Sequence, residues 1–388
     1  PDPWINRPMR AQIGLPQPEQ RIGYAAHDFS QLAAAPKVYM TRAAKVDGVP
    51  TVPSRWILRL EAVLKGFGKE NNIRPDAARG DGWLQWAETR DAIQTHNPVR
   101  APRPAPPVEM RPRKMSVTRI ENWLANPYSV FARAILRLTP LDPLERLPDM
   151  ATRGRIIHQA LHLFTVRHPD ALPVNAAEEL MAAADEILDA YAAHPRVAAF
   201  WRPRLRRFAE WFAETEPARR GHTKRIITEV GGERELEGPA GPFILTARAD
   251  RIDIGKDDRV LIYDYKSGTA PSEANVIRGV SPQLPLEAAI VHAGGFENIP
   301  NSNVEALSYI SASGGEPPGE ERRIKKTAPD DLADTAIREL AKLIADYDRP
   351  ETDYRAIRRA AFANAYRYDD YAHLARVQEW SLGDGDDG

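Results

Sequence analysis

Apolar and polar positions form their clearest pattern between residues 243 and 268, where the chain reads FILTARADRIDIGKDDRVLIYDYKSG. Two runs rich in apolar and β-branched residues, Phe243–Ile254 and Val260–Tyr265, flank the polar stretch GKDD. This pattern predicts a β-hairpin. Both faces of its strands are apolar until the end, as expected for a central strand that is covered on two sides.

The length of the hairpin connection decides whether its acidic residues can meet. Side chains alternate between the two faces of a strand, so a connection of three or five residues places Asp250 and Asp264 on one face, and four residues place them back to back. On one face the carboxylates would lie within roughly 5 to 8 Å of each other, and Lys266 would emerge beside them. One hard cation can bridge such a span through oxygen ligands. The alternative is a surface hairpin with ordinary exposed ion pairs.

Apolar residues at intervals of three and four predict helices elsewhere in the chain. Ser54 and Ser116 are predicted helix caps, and Thr118 with Glu121 resembles a capping box. The predicted helices are Ser54–Leu64, Arg153–Val166, Glu178–Ala193, a short one in SPQLPLEAAI, and Asp330–Tyr347. Further strands are predicted at Arg225–Leu236 and Val304–Ser311.

Proline-rich sequence divides the chain. The 388 residues include 34 prolines, and the basic stretch VRAPRPAPPVEMRPRK at residues 99–114 is predicted to be a linker. It separates residues 1–98 from a larger domain at 115–380. The end, SLGDGDDG at 381–388, is a predicted mobile acidic tail. The first residues, PDPW, lack an initiator Met and suggest a piece of a longer polypeptide.

The composition of the chain excludes several classes of functional site. The net charge is −1, so any DNA contact must come from local basic patches. The chain has no Cys, which excludes disulfides, thiolate nucleophiles and an iron–sulfur cluster. No apolar run approaches the length of a membrane span, so no membrane partner is expected. No GxxxxGK[ST] phosphate loop occurs, so ATP hydrolysis is not expected.

Four motifs, GRIIHQAL, TARADRID, DYKSG and QLPLEAAI, follow one another along the chain. They resemble the RecB-type branch of the PD-(D/E)XK nucleases, where a helical His, an Asp, a D-x-K and a Gln-Leu motif occur in this order. The stretch APKVYMTRAAKVDGVPTVPSRWILRLEAVL resembles the end of the helicase-like part of alphaproteobacterial AddB proteins. By that match Arg42 is a candidate for a nucleotide phosphate, with an exposed strand-end residue as the simpler alternative.

The resemblance implies an α/β fold of the restriction-endonuclease type, a mixed central sheet flanked by helices, preceded by a smaller helicase-like piece. It implies a Mg²⁺-dependent DNA exonuclease in a helicase–nuclease that resects double-strand breaks with an AddA-type partner. Such a complex would be cytoplasmic and nucleoid-associated in bacteria. The alternatives are a catalytically silent DNA-end-binding scaffold and a metal-dependent nucleotide phosphohydrolase.

The resemblance also assigns the metal site. Asp250 and Asp264 would bind Mg²⁺, with His158 and the backbone carbonyl of Tyr265 as further ligands, and Mn²⁺ would suit this set as well. Lys266 would position the attacking water and offset the negative charge of the transition state. The spacing of His158 and His162 also occurs in zinc sites, but the HExxH motif is not met.

Other candidates are weaker. Gln283 would orient a phosphate or water, although Glu287 stands where the family often has Tyr. Cluster-bearing relatives have a Cys at the position of Asn126. Glu229 is expected as a strand-end surface carboxylate, with an outer-shell role near the metal as the alternative. The basic and aromatic stretch from Trp201 to Arg225 suggests DNA contacts or simply an amphipathic helix, and its candidates for DNA contact are Arg204, Arg207, Arg220 and Lys224.

Overall fold

The computed structural model describes residues 5–73, 83–92, 100–141, 144, 148–191, 194, 197–362 and 369–380. The chain divides into two compact units, Pro1–Asn97 and Pro98–Gly388. Each unit is described by itself below. The predicted acidic tail at 381–388 lies outside the described residues.

The first unit contains helices and a small hairpin. Its elements are α1 (Arg7–Gln12), α2 (Pro18–Ala33), β1 (Lys45–Val46), β2 (Val49–Pro50), α3 (Arg55–Gly66) and α4 (Trp83–Asp91). Ser54 caps α3 as predicted, because its hydroxyl accepts a hydrogen bond from the Trp56 N–H at 3.3 Å. None of the residues described in this unit is buried, and Arg42 lies exposed outside helix and strand. The helicase-like assignment stays a prediction.

The second unit is built on a mixed six-stranded sheet with helices on both faces. Its strands are β3 (Lys114–Ser116), β4 (Thr223–Leu236), β5 (Phe243–Gly255), β6 (Val260–Lys266), β7 (Val304–Ser311) and β8 (Glu320–Arg323). Its helices are α5 (Val117–Ala125), α6 (Pro127–Val130), α7 (Met150–Arg167), α8 (Ala176–Leu188), α9 (Arg202–Arg220), α10 (Glu273–Ile277), α11 (Gln283–His292), α12 (Pro329–Tyr347) and α13 (Val377–Trp380). The expected fold class is confirmed.

The sheet is centred on β5. Strand β4 pairs antiparallel with β5 along its whole length, so β3 and β6 share the other edge of β5. Strand β7 pairs parallel with β6, and β8 pairs antiparallel with β7. The parallel pair means that the carboxyl ends of β6 and β7 meet at one edge of the sheet.

Strands β5 and β6 form the predicted hairpin. Ile254 lies opposite Val260 and Arg251 opposite Tyr263, with residues 255–259 as a five-residue connection. One step further along this register, Asp250 lies opposite Asp264. Opposite residues of an antiparallel pair share a face, so the same-face alternative is the one that the structure supports.

Two hydrophobic clusters cover the sheet. One contains side chains of α5, α11 and α12 together with Ile252 and Ile262 of the hairpin. The other contains side chains of α7, α8 and α9 together with Tyr263 and Tyr265. The hairpin is therefore buried on both faces, as its sequence predicts. None of the helices that the structure describes is long and apolar enough to cross a membrane.

The proline-rich stretch differs from the solvated linker that we predict from sequence. Arg111 within it is only 4% exposed. Its guanidinium donates hydrogen bonds, at 2.6 to 3.0 Å, to carbonyl oxygens at and beyond the end of α12, those of Tyr347, Arg349 and Pro350. The Tyr354 N–H donates to the Pro104 carbonyl at 2.7 Å. Proline lacks an N–H but keeps its carbonyl, so donors from distant segments hold this stretch against the second unit.

Hydrogen bonds and packing join segments near the two ends of the second unit around Asn126. The Asn126 amide donates to the Asp369 carboxylate at 3.2 Å. The Tyr371 hydroxyl donates to the Leu138 carbonyl at 2.7 Å. Beside them a third hydrophobic cluster contains Tyr128, Ala132, Ala356, Tyr371, Ala375, Val377 and Trp380.

Candidate active site

Three carboxylates lie side by side across neighbouring strands at the centre of the sheet. By register, Asp250 of β5 comes one step after the Arg251–Tyr263 pair, facing Asp264 of β6. It also falls between the Thr228–Arg251 and Val230–Ala249 pairs, facing Glu229 of β4. Glu229 has φ of 53°, a left-handed backbone conformation that is uncommon for Glu. Like charges directly opposite each other destabilise a sheet. This carboxylate row therefore requires positive charge close by.

Glu229 was expected at the surface, and this expectation is wrong. Its side chain is only 19% exposed and forms an ion pair at 2.7 Å with the exposed Arg248. Alternation along β4 shows which residues share a face, but it does not reveal the left-handed turn of the backbone at this residue. The structure therefore favours the alternative that places Glu229 near the metal site.

His158 of α7 supplies part of the positive charge. Its Nδ1 lies 3.1 Å from Asp250 Oδ1, and its Nε2 lies 2.9 Å from the Tyr265 carbonyl oxygen. Because both partners are acceptors, the ring satisfies both only when both nitrogens carry hydrogen. Burial alone lowers the pKa of His158, but the hydrogen bond and charge of Asp250, helped by the other carboxylates, raise it overall.

The residues present fit a divalent metal ion. Ligand atoms of His158, Glu229 and Asp250 all lie within 4.8 Å of one another, and the Tyr265 carbonyl contacts the same imidazole ring. Carboxylate oxygens with one imidazole suit Mg²⁺ or Mn²⁺. Asp264 is outside this group, so its sharing of one ion with Asp250 stays a prediction.

His162 does not form a zinc pair with His158 in this arrangement. Its Nδ1 lies 2.7 Å from the Thr228 hydroxyl, and it is not a member of the potential metal-binding group found among the described residues. The zinc alternative therefore gains no support.

Asp264 and Lys266 lie two residues apart at the end of β6. Lys266 Nζ lies 2.7 Å from Asp264 Oδ2. This short contact is an ion pair between a half-buried ammonium and a buried carboxylate. Burial raises the pKa of Asp264 to about 6, against the opposing charge of Lys266 and with the help of Asp250. Burial lowers the pKa of Lys266, but Asp264 and Asp250 raise it overall, so the ammonium stays charged.

Gln283 holds this pair in place. Its Oε1 accepts a hydrogen bond from Lys266 Nζ at 2.9 Å, and its Nε2 donates to Asp264 Oδ1 at 2.5 Å. The residue is 9% exposed. Both ends of the amide are therefore engaged, which differs from the expected role of orienting a phosphate or water. The structure instead makes Gln283 a support for the catalytic candidates.

Glu121 is a site residue that the sequence analysis misassigned. Ser116 caps α5 through the Arg119 N–H at 3.3 Å, so Thr118 lies inside the helix and the predicted capping box is wrong. Glu121 is instead close to the Asp264 and Lys266 pair. Burial raises the pKa of Glu121, Lys266 lowers it and Asp264 raises it, with a rise overall.

Glu287 is the second acid of this side of the site. It follows Gln283 by four residues, which places both on one face of α11, and its Oε1 accepts from Gln283 Nε2 at 3.2 Å. It is 1% exposed. Burial and the charges of Asp264 and Asp250 raise the pKa of Glu287 well above its ordinary value. The four-residue spacing was the signal in the sequence.

The predicted DNA contacts fall into different environments. Arg204 and Arg207 are exposed near the start of α9, where Arg207 Nε donates to the Gly314 carbonyl at 2.8 Å. Lys224 is exposed and forms an ion pair with Asp258 at 2.9 Å. These three remain candidates for DNA contact.

Arg220 has to be removed from those candidates. Its side chain is 9% exposed and pairs with Glu216 at 3.0 Å. It belongs to a buried network in which Arg251 pairs with Asp253 at 2.6 Å and with Glu216 at 2.8 Å. Arg219 is part of the same network. Positions of arginine along a helix do not show which of them meet an acid inside the protein.

A family model for the PD-(D/E)XK nuclease superfamily matches residues 114–362. The chain belongs to the PD-(D/E)XK nuclease superfamily. The superfamily is one of nucleases, and its nucleases use divalent metal ions. The matched range contains the whole carboxylate row, His158 and Lys266.

Curated relatives of this superfamily member occur in Rickettsia. An uncharacterized protein of Rickettsia conorii is 25% identical over 298 residues, 76% of this chain and 34% of that protein. One of Rickettsia felis is 27% identical over 310 residues, 78% of this chain and 35% of that protein. One of Rickettsia typhi is 30% identical over 205 residues, 50% of this chain and 23% of that protein. The chain thus spans about a third or less of the length of these relatives.

Proposed function

We propose that this chain is the nuclease part of an AddB-type protein, a Mg²⁺-dependent DNA exonuclease that acts in double-strand break resection with an AddA-type partner. The observation that supports this most is the carboxylate row of Glu229, Asp250 and Asp264, with His158 and Lys266 beside it. A superfamily nuclease with this set has both a metal-binding group and a fixed cation for the phosphate.

The side chains divide the work. Asp250, His158 and Glu229 would hold Mg²⁺, with Asp264 and the Tyr265 carbonyl bordering the same site. When bound, the ion polarises the scissile phosphate and lowers the pKa of a water. Lys266 stays protonated beside Asp264 and offsets the negative charge that develops on the phosphate.

The free-energy cost of burying several charged groups together favours a catalytic site over a silent scaffold. Several carboxyl groups are desolvated together here, which costs free energy unless a cation offsets it. A module that only grips DNA gains nothing from them. The exposed Arg204, Arg207 and Lys224 favour an extended polyanion over a mononucleotide.

The test uses end-labelled linear duplex DNA, circular duplex DNA and a mononucleotide, each with Mg²⁺ or with EDTA. We expect wild type to degrade the linear DNA with Mg²⁺ only, and Lys266→Ala to be inactive. Lys342→Ala is the control, because Lys342 is exposed and pairs with Glu339 on α12. Digestion by Lys266→Ala at the wild-type rate would refute the assignment. DNA binding without cleavage, insensitive to EDTA, would favour the scaffold.

A further inference from the structure

Arg153 is a buried cation that the proposed mechanism does not use. It is 5% exposed, and its Nη2 donates a hydrogen bond to the Ser267 carbonyl oxygen. In the described part of the chain its Nε has no acceptor and the guanidinium has no ion pair. Arg251, by contrast, is fully buried but paired with two carboxylates. An unmatched buried guanidinium is costly.

Arg153 lies close to the proposed catalytic residues. Ser267 directly follows Lys266, and Arg153 precedes His158 by five residues on α7, about 7.5 Å along the helix axis. Gly154 allows this close approach, because a Cβ there would lie 3.1 Å from Ser267 Oγ. Arg153 is thus held against the loop that leaves β6, beside the site.

Arg204 of α9 lies against a neighbouring loop, the one that follows β7. The Ala312 N–H, just after β7, donates to the Lys266 carbonyl at 2.8 Å. Two residues later Gly314 fits against the Arg204 backbone, where a Cβ would clash. Burial and the nearby charge of Arg204 lower the pKa of Arg153. No ion pair of Arg204 is found among the residues described.

We infer that Arg153 and Arg204 together bind one phosphate of the DNA backbone adjacent to the scissile phosphate. This inference rests on the proposed function and adds to it the residues that grip the substrate. Guanidinium groups present paired N–H donors that match phosphate oxygens. Arg153 is fixed by Ser267, and the exposed Arg204 completes the pair when the anion arrives.

The experiment measures binding of a fluorescent 20-base-pair duplex in EDTA, at several salt concentrations. Each phosphate contact that is lost should lower the slope of log affinity against log salt by about 1. We expect Arg204→Ala and Arg153→Met each to show this drop and to bind about tenfold more weakly, as for a lost charged hydrogen bond. The double variant should lose little more than either single one, because both residues hold the same phosphate.

Arg206→Ala is the matched control, because Arg206 is exposed on the same helix, and its slope should not change. An unchanged slope for Arg204→Ala, or an equal drop for Arg206→Ala, would overturn the inference, even if Arg153→Met fails to fold. Absence of DNA binding by wild type would overturn it as well. DNA binding with this arginine dependence but no cleavage in Mg²⁺ would contradict the nuclease proposal alone. Cleavage with an unchanged Arg204→Ala slope would contradict this inference alone.

Discussion

Two groups of charged residues meet at β5, and they differ in how the charges are matched. The first is the network of Arg219, Arg220 and Arg251 with Glu216, Asp253 and Glu321. The second is the active-site group of Glu121, Glu229, Asp250, Asp264 and Glu287, with His158, Lys266 and the exposed Arg248. Acids and arginines balance in the network, whereas acids exceed bases in the site.

The shifts in pKa express this difference. Burial lowers the pKa of Arg251, but Asp253 and Glu216 outweigh it and raise it well above the ordinary value. At the site, burial raises the pKa of Asp264 and of Glu287. A carboxyl group whose pKa is raised has too little positive charge around it. The network is thus balanced within the folded protein, whereas the site keeps surplus acid that a bound cation would offset.

The strongest test of this contrast is removal of site charges. Lys266→Ala and Asp264→Asn should each lower the rate of DNA cleavage by about 10³-fold or more, a loss at the upper end of that for one transition-state contact. The melting temperature of Asp264→Asn should stay close to wild type, because the change removes one surplus acid. That of Lys266→Ala should fall, because Asp264 is left buried without its cation. Initial rates on linear DNA and thermal unfolding followed by circular dichroism check both. A variant that unfolds instead would show the site to be structural.

Removal of one charge from the network should mainly lower stability, in contrast to removal of charge from the site, which should mainly lower the cleavage rate. Arg251→Met leaves Asp253 buried without its ion-pair partner and removes one of the three arginines that pair with Glu216. It should lower the free energy of unfolding by roughly 3 to 5 kcal/mol. Denaturant unfolding measures this. Lys224→Ala, which breaks the exposed pair with Asp258, should cost no more than about 1 kcal/mol. Similar values for the two variants would remove the distinction between the groups.

Metal ions should stabilise only a chain with an intact site. At a concentration of Mg²⁺ or Mn²⁺ about 100 times the dissociation constant, the folded state gains about 2.7 kcal/mol. We expect this rise in melting temperature for wild type and its loss in Asp250→Asn. Asp258→Asn serves as the control, because Asp258 is an exposed acid of the same hairpin. An equal rise in Asp250→Asn would place the ion elsewhere.

The smallest effect concerns Glu287. Its pKa is raised in the folded state, so the folded state binds more protons than the unfolded state, and stability falls as pH rises above the ordinary pKa of Glu. Glu287→Gln keeps the hydrogen bond from Gln283 and removes this loss, so it should stabilise by about 1 kcal/mol or more at pH 8. The gain should vanish near pH 4. Urea unfolding across this range checks it, with the exposed Glu339→Gln as control.

The sequence predicts the strands well because a strand that is buried on both faces has a continuous run of apolar residues. It left the relation of Asp250 to Asp264 open, since a difference of one residue in the connection reverses the face. The five-residue connection resolves this. The superfamily also follows from sequence, because its motifs lie close together along the chain.

Other site residues could not be read from local patterns. The sequence predicts the cap at Ser116 correctly, but the apparent capping box of Thr118 and Glu121 hides the place of Glu121 near Asp264 and Lys266. Glu229 enters the site through an unusual backbone conformation at one residue. From sequence Arg220 is expected to be exposed, but in the structure it forms an ion pair with the buried Glu216. Each error arises where a distant segment, and not the local sequence, decides the environment of a side chain.

Arg111 limits how far the polypeptide can be shortened from its N-terminal side. The last carbonyl groups of a helix need donors from outside it, and Arg111 provides them at and beyond the end of α12 from well over two hundred positions upstream. The superfamily match begins three residues after it, at residue 114. A polypeptide trimmed to the family limits would therefore lose the clamp on its own last long helix, and the smallest autonomous enzyme should begin near residue 100.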